Sequence, residues 1–209
     1  MEKHISTPEI IFESGWLLDS SLEELSKESL NQAAVDEVAN RTSEFQDAWD
    51  QLGKPLIESA LRETGLSFKE RDIKGVLICG PIASQSHPLI INVKYFLKSL
   101  EEKPQSMTEF VDVVFHELLH VLLQDNVRTF PTPTAQEFIA DEFDVIAHLH
   151  LMAIQKYSHE KIGNATERLG QWYQRIGRDY QRSWELVSDE AIFSKLMKEI
   201  GTEFGRVQH

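Results

Sequence analysis

The run His116-Glu117-Leu118-Leu119-His120 has the residue types and the spacing to hold a metal ion and to work beside it. Histidines four positions apart on a helix lie one turn above each other, so both imidazoles can reach one ion. Glu117 is adjacent to a ligand but turned round the helix, where it can take a proton from water activated by the ion. Phe110, Val113, Val114, Phe115, Leu118, Leu119, Val121, Leu122 and Leu123 make this helix apolar nearly all round, interrupted by Asp112, His116, Glu117, His120 and Gln124. A surface helix with incidental histidines would carry a broader polar face, richer in Lys and Arg. Buried imidazoles and a buried carboxylate are costly without partners, and a divalent cation satisfies all of them at once.

Further along, Glu137 and Asp141 are also four apart in Gln136-Glu137-Phe138-Ile139-Ala140-Asp141, with Phe138, Ile139, Phe143 and Ile146 as an apolar side. A short loop would fold this pair back towards the histidines. With HELLH followed by EFIAD, the stretch from Val113 to about Asp144 resembles the gluzincin metallopeptidases, the thermolysin-like group. The resemblance implies a zinc peptidase with His116 and His120 as ligands, Glu117 as general base, Glu137 as third ligand, and Asp141 orienting a ligand histidine. It departs from thermolysin in having Gln136 before the ligand Glu and a shorter spacing, 16 residues, between His120 and Glu137.

Three N and O ligands leave zinc a fourth position, where the pKa of water falls to about 7. Iron shares this ligand set and is the runner-up. The oxyanion needs a donor as well, for which His150, Tyr157, Tyr173, Tyr180 and Arg178 are candidates, each with a plain packing or surface role as its alternative. His148 follows Glu137 by eleven residues, which on one continuous helix puts it about 16 Å away and out of reach of the ion.

The elements that must position these groups are legible in outline. Ser106 with Glu109 opens a helix over Met107 to Gln124, and Thr132-Pro133 opens a second one running to about Tyr157. Residues 20–66 read as helices, with Ser20 and Ser21 each three positions before a glutamate. Ile73 to Cys79 and Pro88 to Phe96 read as two strands, arranged as a hairpin. The gluzincin resemblance implies that the second of these is an exposed edge that holds an extended peptide, with an internal strand as the alternative. Trp172, Ile176, Tyr180 and Trp184, then Ile192, Leu196 and Ile200, give two further helices.

The resulting expectation is an α+β, mostly helical single domain over 1–209, with a small sheet beside the HExxH helix. It divides into N-terminal helices (1–68), sheet plus zinc-binding helices (70–157) and C-terminal helices (158–209). With 34 acidic against 21 basic residues the net charge is −13, which repels nucleic acid and anionic membranes. The lone Cys79 excludes an internal disulfide and a thiolate zinc site. No signal-like N-terminus or long apolar run appears, which points to a cytoplasmic protein, so the Asn-x-Thr triplets at Asn40 and Asn164 carry no weight.

The partner expected is a peptide or protein substrate. A carboxylate-bridged di-iron bundle requires a second Glu-x-x-His, which is absent. The main alternative is a non-catalytic zinc-containing regulatory or peptide-binding protein on the same framework.

Overall fold

In the computed structural model, which describes residues 6–27 and 29–204, the chain is mostly helical with one small parallel sheet, an α+β architecture. It gathers into two compact units, one from residues 8–54 and 70–121, the other from residues 55–69 and 122 onward.

The first unit holds the sheet. Strand β1 (Glu9–Ser14) alternates outward Glu9, Ile11 and Glu13 with buried Ile10 and Phe12, the period of a half-buried strand. Helices α1 (Trp16–Ser26) and α2 (Gln32–Ala48) follow, then strands β2 (Asp72–Ile78) and β3 (Ile90–Asn92). Ser20 and Ser21 do not cap α1; they lie inside it and donate back to the carbonyls of Trp16 and Leu17. The Asn31 side chain caps α2 by accepting from the Ala33 N–H.

The sheet order is β1-β2-β3 and both pairings are parallel, with Phe12 opposite Gly75 and Val76 opposite Ile90. A Cβ on Gly75 would lie 2.6 Å from the Phe12 ring, so this strand interior takes glycine.

The expected hairpin is therefore a parallel crossover, and the strand expected to reach Phe96 ends at Asn92, with a 3₁₀ turn over Lys94–Phe96. The Asn92 side chain explains the return: its amide donates to the Gly80 and Ile82 carbonyls and its oxygen accepts from the Lys94 N–H. Both outer strands are closed. The Gln46 side-chain amide bonds the Phe12 N–H and the Ile10 carbonyl along β1, as a neighbouring strand would. On β3, Ile90 exchanges two hydrogen bonds with Gln85, and the Asn92 N–H donates to Ser84 Oγ. A peptide could not add to β3 without displacing these bonds.

Helix α4 (Met107–Asn126) begins as its sequence dictates: Ser106 Oγ accepts from the Glu109 N–H and the Glu109 carboxylate accepts from the Ser106 N–H. In the first unit its anchor is Phe110, whose ring meets Phe45 at 4.7 Å, Phe12 at 5.7 Å and Phe96 at 5.8 Å between centroids. Val111, Val114, Phe115, Leu118 and Leu119 are buried on the same helix.

The second unit contains α3 (Lys54–Thr64), which continues from a π-helical turn at Trp49–Gly53, and five further elements. These are α5 (Pro133–Gln136), α6 (Phe143–Lys161), α7 (Glu167–Ile176), α8 (Arg178–Ser188) and α9 (Glu190–Glu203). Helix α6 is buried at nearly every position, so its polar side chains need partners. Gln155 accepts from the Tyr173 hydroxyl, and Lys156 pairs with Glu190 at 2.8 Å above the Phe193 ring. His150 bonds Glu199 at 2.6 Å.

Among the described residues no helix is long and apolar enough to cross a membrane.

Phe110→Ala should lower unfolding free energy by about 3 to 5 kcal/mol, the usual range for a buried ring removed from a packed core. Urea denaturation followed by far-UV circular dichroism measures it.

Candidate metal centre

The largest difference from the expected fold decides the site. The helix expected to run from Thr132-Pro133 to about Tyr157 is two helices, α5 and α6, separated by the turn at residues 137–142. Thr132 caps α5 with Pro133 in its first position, as expected, but the helix ends at Gln136. Bonds of the i to i+3 type follow, from the Phe138, Ile139 and Asp141 N–H groups to the Ala135, Gln136 and Phe138 carbonyls. Glu142 is then extended and stands just before α6 without a side-chain capping bond, and the first turn of α6 carries Asp144 where the helix dipole favours an acid.

Glu137 and Asp141 consequently do not act as one helical pair. The Glu137 carboxylate is exposed and straddled by Lys195 Nζ at 2.8 and 3.0 Å. Asp141 lies 3.2 Å from Arg182 Nε. Four apart on a helix the two acids would repel; in the turn each meets a cation on a different helix, α9 and α8. The third-ligand place assigned to Glu137 and the histidine-orienting place assigned to Asp141 are thus taken up by surface ion pairs.

What converges with the HELLH histidines is His148. Among the described residues, His116, His120 and His148 form the one group of metal-ligating side chains whose donor atoms lie within 4.8 Å of one another. The estimate that held His148 away took the chain from Glu137 onward as a straight helix; the turn before α6 removes that premise. His116 and His148 are buried, and the His116 and His120 rings sit edge to face with centroids 5.0 Å apart.

His148 is oriented in the manner of a ligand. Its Nδ1 lies 2.6 Å from the Asp144 carbonyl. A carbonyl only accepts, so the proton is on Nδ1 and the lone pair is on Nε2. Backbone carbonyls fix metal-binding imidazoles in this way. Burial holds the His148 pKa below its usual value, outweighing the Asp144 hydrogen bond and the charges of Asp144 and Asp179. The Tyr180 ring packs on His148 with centroids 4.5 Å apart and stacks on Tyr173 at 6.2 Å.

Glu117 follows His116 on α4, and its carboxyl remains in partial contact with solvent. The protein around it is nonetheless dense enough that burial raises its pKa to about 7. In the absence of a cation this carboxyl holds a proton through the weakly acidic range.

Three of the other oxyanion candidates are engaged elsewhere: Tyr157 donates to Glu63, Tyr173 donates to Gln155, and His150 is bound to Glu199. The His150 cluster is a clamp and not a nucleophilic triad. Glu199 and the Thr132 hydroxyl both meet the same imidazole nitrogen, Nε2, at 2.6 and 3.3 Å, so no proton can pass across the ring from hydroxyl to acid. Burial would raise the Glu199 pKa, but hydrogen bonds from His150, the Thr134 N–H and Thr132 bring it down to about 2. Cys79 is inert: burial and the Asp19 carboxylate push its thiol to about 12.

From the sequence, His148 is set aside on the straight-helix distance and Asp144 is not singled out. The signal available was their i, i+4 spacing at the start of an apolar stretch, the same spacing that marked His116 and His120.

Because the Glu117 pKa in the folded state lies above the 4.5 of an exposed glutamate, the folded protein binds more protons between pH 4.5 and about 7. Stability therefore falls as pH rises through that window. Glu117→Gln in metal-stripped protein should raise the unfolding free energy at pH 8 by up to about 3 kcal/mol and change it little at pH 4, measured by urea titration at both pH values.

In comparisons with known proteins, no family, no curated protein and no solved structure matches the chain.

Proposed function

We propose that this chain is a zinc-dependent hydrolase of peptide bonds in which His116, His120 and His148 hold the ion and Glu117 is the general base. The observation that carries the reading is the convergence of the three imidazoles, with Glu117, next to His116 in sequence, as a half-buried carboxyl whose pKa is raised to about 7.

The donor set fits the ion. Three imidazoles with a fourth position left over are a catalytic zinc arrangement, whereas magnesium and calcium prefer oxygen shells and non-haem iron sites of this size usually include a carboxylate. Zinc to nitrogen distances of about 2.0 to 2.1 Å keep two donors of one ion within about 4 Å, and imidazole donor atoms that all lie within 4.8 Å of one another would need at most a small side-chain rotation to meet that limit. A bound zinc ion would supply a Lewis acid that polarises a carbonyl and makes water acidic near neutral pH.

The remaining roles belong to the chain. The Asp144 carbonyl keeps His148 in the tautomer that offers Nε2, and Tyr180 packs at a tilt against that ring. Glu117 takes a proton from the water that attacks the amide carbon and passes it to the departing amine. Glu117, at about 7 by burial, would be shifted towards its carboxylate form by a cation held on the neighbouring histidines. The same dense surroundings limit water around the reacting groups and strengthen their electrostatic interactions.

Protein purified without added metal should contain zinc at about one ion per chain by elemental analysis. His148→Ala should lose that zinc, Glu137→Ala should keep it, and Glu117→Gln should keep it while abolishing turnover of a peptide library. Zinc retained by His148→Ala and lost by Glu137→Ala would replace the proposed ligand set with the thermolysin-like one. A zinc-loaded wild-type chain that cleaves no peptide would leave the non-catalytic peptide-binding reading in its place.

A further inference from the structure

The turn that separates α5 from α6 also leaves an apolar surface beside the proposed metal ligand. Phe143 is 68% exposed, Ile139 55% and Phe130 42%. The Phe130 and Phe143 rings meet edge to face with centroids 5.9 Å apart, so they form one aromatic surface. Large apolar side chains exposed together in this way mark contact sites. Phe143 is the first residue of α6 and precedes Asp144, whose carbonyl holds the His148 ring, so the aromatic surface and the histidine are set by the same helical turn.

The charge that immediately flanks Phe143 is acidic. Glu142 and Asp144 flank Phe143 in sequence, are exposed, and have no ion pair among the described residues. Glu137 and Asp141, also in this segment, are already matched by Lys195 and Arg182. Two aromatic rings with two unneutralised carboxylates suit a lysine or arginine next to a large apolar side chain, because the cation can lie over a ring face as well as near an acid. The net charge of −13 would draw such a ligand in at long range and would oppose contact between two copies of the chain through the same acidic surface.

We propose that Phe130, Phe143, Glu142 and Asp144 form a substrate-docking surface for an extended cationic peptide carrying an aromatic or large aliphatic side chain. The assignment rests on the hydrolase reading above for its purpose, but its binding chemistry stands apart from turnover. It places substrate selection on the start of α6; the sheet edges, which are closed by Gln46, Ser84 and Gln85, take no part.

Zinc-loaded Glu117→Gln protein, titrated against a fluorescein-labelled heptapeptide with a phenylalanine between two lysines, measures binding without cleavage. The reference is the same peptide with glutamates in place of the lysines. The lysine peptide should bind at least about tenfold more tightly, with the gap narrowing as salt is raised. Adding Phe143→Ser, a change at an exposed position that folding tolerates, should weaken the lysine peptide by roughly tenfold. Adding Glu142→Gln should weaken it by a smaller factor and reduce its salt dependence.

Equal binding of the two peptides, or parent-like binding by both added variants, would overturn the proposal. So would sedimentation showing a dimer that Phe143→Ser dissolves, since the surface would then be a contact between copies. Wild-type protein that cleaves peptides with a KM unchanged by Phe143→Ser would keep the hydrolase reading and refute the docking surface. Binding with the expected pattern but no cleavage by wild-type protein would do the reverse.

Discussion

The hydrogen bond from His148 Nδ1 to the Asp144 carbonyl depends on α6 starting afresh at Phe143. A carbonyl in the first turn of a helix and a side chain four residues later are always neighbours, so once the helix begins there the ring has an acceptor without help from any distant residue. Where the helix begins is set by the turn at residues 137–142 and by the ion pairs that hold it, Glu137 with Lys195 and Asp141 with Arg182. Each is a surface contact of small individual worth, but together they tie the turn to α9 and α8. The buried contact between Ser183 Oγ and the Val145 carbonyl adds a firmer tie between α8 and the first turn of α6.

Different forces hold the other two histidines. His116 and His120 are placed by an apolar helix whose anchor is the Phe110 ring among Phe12, Phe45 and Phe96. Here the determinant is packing: a residue fixed in an aromatic cluster near the start of the helix sets the rotation of every later position, since successive residues advance by a constant angle. Glu117 shares that rotation, and the cost of its burial is expressed in its raised pKa instead of in an ion pair.

These two kinds of support explain what could be read from the chain. The α4 helix, its Ser106 and Glu109 cap and its histidines follow from patterns within one continuous element, where spacing translates directly into geometry. The break between α5 and α6 does not, because Glu137 to Glu142 contains neither glycine nor proline and its periodicity is compatible with helix. What ends the helix is tertiary, the two lysine and arginine partners lying far along the chain at Lys195 and Arg182. The assumption of one straight helix therefore puts Glu137, and not His148, in the group with His116 and His120, whereas the structure groups His148 with them. The parallel sheet was hidden for a similar reason: β1 is separated from β2 by more than fifty residues, and the Asn92 side chain, not the turn sequence at Gly80, dictates the return of β3.

A three-stranded parallel sheet has two rims, and each rim is a row of backbone groups that another extended chain could pair with. Gln46 spends its side-chain amide on one rim, and Ser84 with Gln85 covers the other. Neither device adds a strand, but both leave an incoming chain with fewer donors and acceptors to meet. The sheet therefore resists templated growth into intermolecular β-structure at high concentration, a protection that a short, buried and isoleucine-rich strand such as β3 would otherwise lack.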